Sequence, residues 1–226
     1  MSRYNMFNQI HKGLRALLYD TALQLQHTDF WNVEDAGQTI ERLEEVIQLF
    51  EKHAYSEDTH VFPAVEKFEP SIADVFEKEH VKDHILGLLL DESIKLYRNA
   101  DVITDKADAG RQIQSAFMKF MVFNLEHMAK EEDVINRILW RYYSDAELHE
   151  ITQRIIANVP PDMMGLYSRW MMRGLNNAEI TTWLKEVEKN APEPVFQFLF
   201  VTAERELPGI RFRQVLEGLT EGAMLA

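Results

Sequence analysis

The sequence predicts an all-α protein, an up-down-up-down four-helix bundle with a C-terminal helical extension. Three observations predict it. Apolar residues recur at spacings of three and four through four long segments, the mark of one buried helix face. No proline occurs between Pro70 and Pro160, and Ala, Leu, Glu, Lys and Met, all good helix formers, are abundant there. No segment alternates apolar and polar residues at period two, so no strand is expected. Helices of about 20 to 35 residues would be about 30 to 50 Å long at 1.5 Å per residue, a length suited to a bundle.

The first helix is expected over about Met6 to His27, with Phe7, Ile10, Leu14, Leu17, Leu18 and Leu25 as its stripe. A loop over Thr28 to Val33 crosses to a second helix, about Asp35 to Ser56, capped by Asn32 or Asp35. Val61 to Phe68 reads as a short helical piece broken or restarted at Pro63. Ser71 is the expected N-cap of the third helix, with Asp74 three residues on, and that helix should run to about Arg98. The fourth is expected from Thr104 or Asp105 to about Trp140, with Ile113, Phe117, Phe120, Met121 and Leu125 on its inner face.

After Tyr143 the helices become shorter. Ser144 and Glu147 form a capping box that opens a helix ending near Ala157. Pro160-Pro161 interrupts, and further helices are expected over Asp162–Arg173, Asn177–Lys189, Glu193–Glu206 and Ile210–Leu219. Gly174 reads as a C′ residue and Pro208-Gly209 as a turn. The expected division is a bundle over 1–143 and an extension over 144–226. The extension's aromatic residues and the methionines Met163, Met164, Met171 and Met172 are read as packing groups.

Composition narrows the chemistry. Lys and Arg number 24 against 37 Asp and Glu, a formal charge of −13 in 226 residues. That balance argues against a nucleic-acid partner held by phosphate neutralisation and against an anionic membrane surface. There is no Cys, which removes disulfides, thiolate metal sites, iron–sulfur clusters and Cys nucleophiles. No apolar run approaches the roughly 20 residues of a spanning helix. The opening residues have no secretory apolar stretch, so a cytoplasmic protein is expected.

The eight histidines carry the strongest signal. His53 and Glu57, His80 and His84, and His127 and Glu131 are each four apart, on the second, third and fourth helices. Residues four apart stand on one helix face. His11 lies on the edge of the first helix's apolar stripe. Five histidines and two carboxylates would then face one interior. A single metal would use four to six of the seven groups. Two metals, about 3.5 Å apart and bridged by the carboxylates and an oxygen species, would use all of them. Imidazole with carboxylate favours iron, with manganese or zinc also compatible. One such pair is commonly a surface pair; four converging helices need a metal or a dense polar network, because buried unpaired imidazoles and carboxylates are costly.

The order of these motifs resembles the hemerythrin-like (HHE cation-binding) domain over about residues 6 to 141. The resemblance lies in His11-Lys12 with Arg15, in His53 to Glu57 followed by Phe62-Pro63-Ala64-Val65, in His80 to His84, and in His127 to Glu131. It implies a non-haem di-iron centre, two irons per chain with an oxo or hydroxo bridge. Glu57 and Glu131 would bridge, His11 and His53 would serve one iron, and His80, His84 and His127 the other. Oxygen-carrying hemerythrins space the last motif more widely and end it with Asp. The four-residue form here resembles bacterial and F-box-associated relatives, some of which do not use the second His of the third helix. The N-terminal cysteine motif of the iron–sulfur-repair relatives is absent.

The function this implies is binding of dioxygen, nitric oxide or peroxide for sensing, storage or transport. The alternatives are a di-iron oxidoreductase or peroxidase, and an iron-responsive structural or regulatory protein that meets a protein partner through 144–226. Phe50 and Phe123 are expected at a dry pocket, and His60 and Tyr19 near the centre, although a surface role for His60 and a core role for Tyr19 are the simpler readings. His27 and His149 are read as surface residues.

Overall fold

The computed structural model of the chain describes residues 3–220. Among them there are eleven α-helices and one π-helical turn, and no strand. The long helices are α1 (Asn8–His27), α2 (Val33–His60), α4 (Pro70–Asn99) and α5 (Ile103–Lys130), with α3 (Phe62–Glu66) between α2 and α4. They form the expected up-down four-helix bundle. A π-turn, Glu131–Ile135, joins α5 to α6 (Asn136–Tyr142), and α7 is Asp145–Ala157. The extension continues with α8 (Pro161–Gly174), α9 (Asn177–Asn190), α10 (Glu193–Glu206) and α11 (Gly209–Thr220). No helix among the described residues is long and apolar enough to cross a membrane.

The backbone clusters into two compact units. The first takes the residues up to Asn8 with Leu17–Val159, and the second takes Gln9–Ala16 with the residues from Pro160 onward. Helix α1 is unbroken through its share of both.

In the first unit the buried stripes have an interval pattern of three and four. On α2 it passes through Ala36, Thr39, Leu43, Val46 and Phe50, and on α4 through Ala73, Phe76, His80, Asp83, Gly87 and Leu90. On α5 it passes through Gly110, Ile113, Phe117, Phe120, Asn124 and His127. This period of 3.5 is the narrow seam of a bundle whose helices lie close to antiparallel. Phe62, Phe76, Ile135 and Leu139 belong to one apolar cluster at one end of the bundle. Each such side chain contributes about 1.5–3 kcal/mol by leaving water.

Helix starts follow capping chemistry. Asn32 accepts from the amides of Glu34 and Asp35 and caps α2. Ser144 and Glu147 form the expected capping box on α7. Helix α4 differs from expectation. Its N-cap is Glu69, and Pro70 occupies the first turn in place of the Ser71 cap, because proline's fixed φ and missing N–H suit that position.

In the second unit Met163, Met171 and Met172 are buried with Trp170 and Leu184. Lys12 pairs with Glu179 at 2.5 Å. Gly174 is not a left-handed C′ residue: no described glycine has positive φ, and Gly174 closes α8 itself. Its role is close approach. A methyl group there would collide with the Lys12 carbonyl, and one on Gly13 would meet the Met171 amide nitrogen at 2.9 Å.

Candidate metal centre

Three helices of the first unit bring their chemistry to one level. On α2, His53 and Glu57 continue the stripe that buries Phe50. On α4, His80 follows Phe76, and on α5, His127 follows Asn124. Glu131 is the first residue of the π-turn, the kind of helix irregularity often found at functional sites.

Glu57 faces two histidines at once. Its Oε1 is 3.3 Å from His53 Nε2, and its Oε2 is 3.4 Å from His80 Nε2. Glu131 Oε1 is 3.2 Å from His127 Nε2 and 3.8 Å from His80 Nε2. Glu57 is 3% exposed and Glu131 0%. Two groups of four result. Glu57, His80, His127 and Glu131 offer ligand atoms within 4.8 Å of one another, and so do His11, His53, Glu57 and Glu131. The carboxylates are common to both groups. His11 is fully buried.

The donor set fits a pair of cations. Two ligand atoms each about 2.0–2.2 Å from one metal, at roughly right angles, stand about 3 Å apart, close to the nitrogen–oxygen separations here. Four imidazoles and two carboxylates form a mixed set suited to first-row metals. Without cations, two carboxylates would share a dry interior, which is costly.

The far side of each α4 and α5 imidazole is also held. His80 Nδ1 is 2.7 Å from Asp58 Oδ1, and His127 Nδ1 is 2.8 Å from Glu79 Oε2. Lys130 donates to the other Glu79 oxygen at 2.9 Å. These partners fix ring orientation and leave Nε2 for the interior. The electrostatics follow. Burial alone would lower His80, but Asp58, Glu131 and Glu57 outweigh it and push it up to about 12. Burial is likewise outweighed at His127 by Glu131 and Glu79, and its pKa is raised. Burial and the Glu57 charge raise Glu131, yet His127 and His80 hold it below the usual carboxylate range.

Not every expected residue joins the site. His84 has a side chain 60% exposed, with Nδ1 4.0 Å from Glu51, and it belongs to neither group of four. The reason is helical phase. After the four-residue step from Phe76 to His80, the α4 stripe takes a three-residue step to Asp83. His84 lies about 40° to the other side of His80 and turns outward. Asp83 is buried instead and accepts from Asn124 Nδ2 at 2.6 Å.

Tyr19 is 53% exposed, neither at the centre nor in the core. His60 ends α2, half-buried beside a cleft that includes Tyr143 and Arg154. Burial, then Arg154 and Lys52, lower its pKa. Phe50 is buried with its ring 5.2 Å from that of Phe120, and Phe123 stacks on His127 at 5.8 Å. His27 is exposed at the end of α1, and exposed His149 stacks on Tyr4 at 3.8 Å. Asp58, Glu79, Asp83 and Asn124 are additions to the sequence reading. Asp83 and Asn124 were accessible to it through the seam spacing of their helices; Asp58 and Glu79 carried no such signal.

A family model, the hemerythrin HHE cation binding domain, matches residues 2–139. The chain belongs to this family. No curated protein is matched, and no solved structure is matched.

Proposed function

We propose that the protein holds two irons and binds dioxygen or a related small ligand, nitric oxide or peroxide, for sensing, storage or transport. His11 and His53 would serve one iron, His80 and His127 the other, and Glu57 and Glu131 both. The observation that carries this reading is Glu57, whose two oxygens face histidines of different helices at 3.3 and 3.4 Å. A carboxylate so placed suits a bridge between two cations better than a ligand to one.

Each side chain has a task. Glu57 and Glu131 supply two negative charges to offset the cations. Asp58 and Glu79 accept the Nδ1 hydrogens of His80 and His127, which fixes the tautomer and makes Nε2 the better donor. Phe62 and Phe76 pack on those imidazoles at 5.0 and 5.8 Å between ring centres and exclude water, which strengthens every interaction inside. When bound, a ferrous pair supplies the electrons for reversible binding of a diatomic ligand.

The test is the visible spectrum of the iron-loaded, reduced protein on exposure to air or nitric oxide. A persistent charge-transfer band that reverses on removing the ligand is expected. Absence of any change on either exposure would overturn the binding role, and rapid bleaching with consumption of peroxide would replace it with turnover.

A further inference from the structure

Helix α4 is apolar on two sides. One is the buried stripe through Phe76, His80, Gly87 and Leu90. On the opposite side Lys82, Ile85, Leu89, Glu92 and Leu96 recur at intervals of three and four, so they form a second line along the helix. Ile85, Leu89 and Leu96, with Leu88 beside them, are each 48–51% exposed. Helix α5 extends the patch. A methyl on Gly87 would touch the Phe120 ring at 3.8 Å, and the two helices run in opposite directions, so exposed Val122 comes to the level of Ile85. The outward face of a bundle helix is ordinarily polar, and a contiguous exposed apolar patch marks an interaction surface.

The charges on this face are self-complementary. Lys82 and Glu92 stand equally far from Gly87, one before it and one after, and bracket Ile85 and Leu89. Neither has an ion-pair partner among the described residues: Lys82 lies over the Phe123 ring at 4.6 Å, and Lys95, one turn from Glu92, is paired with Asp91 at 2.5 Å. A second α4, turned end for end about the level of Gly87, would set its Glu92 against Lys82 and its Leu89 against Ile85. Two-fold symmetry makes each pairing twice. Outside buried Asp83, lysines and acids balance from Lys78 to Leu96, in a chain whose formal charge is −13. Two copies therefore meet less repulsion here than the chain as a whole would impose. From Lys78 to Leu96 the face is about 27 Å long, and the α4–α5 pair is about 20 Å wide. Two copies would bury about 1,100 Å² in total, just above the roughly 1,000 Å² of a specific interface.

We propose that a second copy of this chain docks on this face, α4 against α4 in antiparallel register. Ile85 and Leu89 form the centre of the contact, and Lys82 pairs with the partner's Glu92 at both ends. The pairing involves none of the metal ligands.

Analytical ultracentrifugation of the full chain at physiological salt, over a range of chain concentrations, tests this. The wild type is expected to form a dimer, twice the 26.5 kDa of one chain, with a Kd below about 100 μM. Leu89→Lys, at a half-exposed position, should stay folded by circular dichroism and sediment as a monomer. Lys82→Glu and Glu92→Lys should each weaken the dimer about tenfold, because two ion pairs become two like-charge contacts. Both reversals in one chain should restore the wild-type Kd to within about threefold. A wild type that remains monomeric to about 100 μM overturns the proposal. A dimer that survives Leu89→Lys also overturns it and places the contact elsewhere. Single charge reversals without effect, or a double reversal that fails to restore the dimer, overturn it as well. Should Leu89→Lys unfold, the charge reversals decide alone.

Discussion

Asp58 and Glu57 are consecutive on α2, yet they grip opposite edges of the same imidazole: Asp58 Oδ1 is 2.7 Å from His80 Nδ1, and Glu57 Oε2 is 3.4 Å from His80 Nε2. The arrangement repeats one helix on. Glu79, next to His80 on α4, holds His127 Nδ1 at 2.8 Å. The carboxylate next to Glu57 thus orients the imidazole of α4, and the one next to His80 orients the imidazole of α5.

Removing these outer carboxylates should loosen the metal without emptying the fold. Asp58→Asn and Glu79→Gln are expected to lower metal affinity about 10- to 100-fold. Competition against a chromophoric chelator measures this. Unchanged affinity in both variants would show that ring orientation is secured by packing alone.

Metal loading should release protons. Asp58, Glu131 and Glu57 outweigh burial and push His80 up to about 12, so with no cation bound it is charged at neutral pH, whereas a ligating imidazole is neutral. The charged His80 stabilises the metal-free fold fully below its unfolded value of 6.5, and that contribution is lost only as pH rises through about 12. Calorimetry in buffers of different ionisation enthalpy should therefore report net proton release at pH 7. Zero release would contradict the charged metal-free state.

Much of this was legible in the sequence, for a physical reason. Leucine and phenylalanine at intervals of three and four reveal helix faces, and His53, His127 and their glutamates fall on those faces. What escaped was phase and partnership. A four-residue spacing from His80 was compatible with His84 facing inward, and only the seam through Ala73, Phe76, Leu90, Ile94 and Tyr97 selects Asp83 instead. Asp58 and Glu79 stand among charged residues that read as solvent-facing, because contacts between helices leave no local pattern. The π-turn at Glu131 likewise has no glycine or proline to announce it.

Glycine substitutions should separate close approach from mere flexibility. Gly174→Ala places a methyl against the Lys12 carbonyl, and Gly13→Ala places one against Met171, so each should destabilise by about 1–3 kcal/mol. Gly37, inside α2 with nothing within 4 Å of an added methyl, should gain about 0.4–1 kcal/mol as alanine. Denaturant midpoints of the three variants check both signs.

Acid should weaken the second unit through Glu206. Burial raises this carboxyl, but Arg173 and Arg205 outweigh it and hold it below its ordinary value of 4.5; Arg173 Nε donates to it at 2.7 Å. The resulting stability is present above pH 4.5 and is lost as pH falls through the lower folded value. Glu206→Gln should therefore melt at a lower temperature than wild type at pH 7, with the gap closing in acid. A gap independent of pH would assign the effect to packing.

The claim on which the rest depends is that Glu57 and Glu131 stand between two cations. Iron K-edge X-ray absorption on the iron-loaded full chain, with total iron per chain, tests it most directly. Two irons per chain and an iron–iron vector of about 3.5–4 Å are predicted. A single iron, or two irons with no vector in that range, would contradict it.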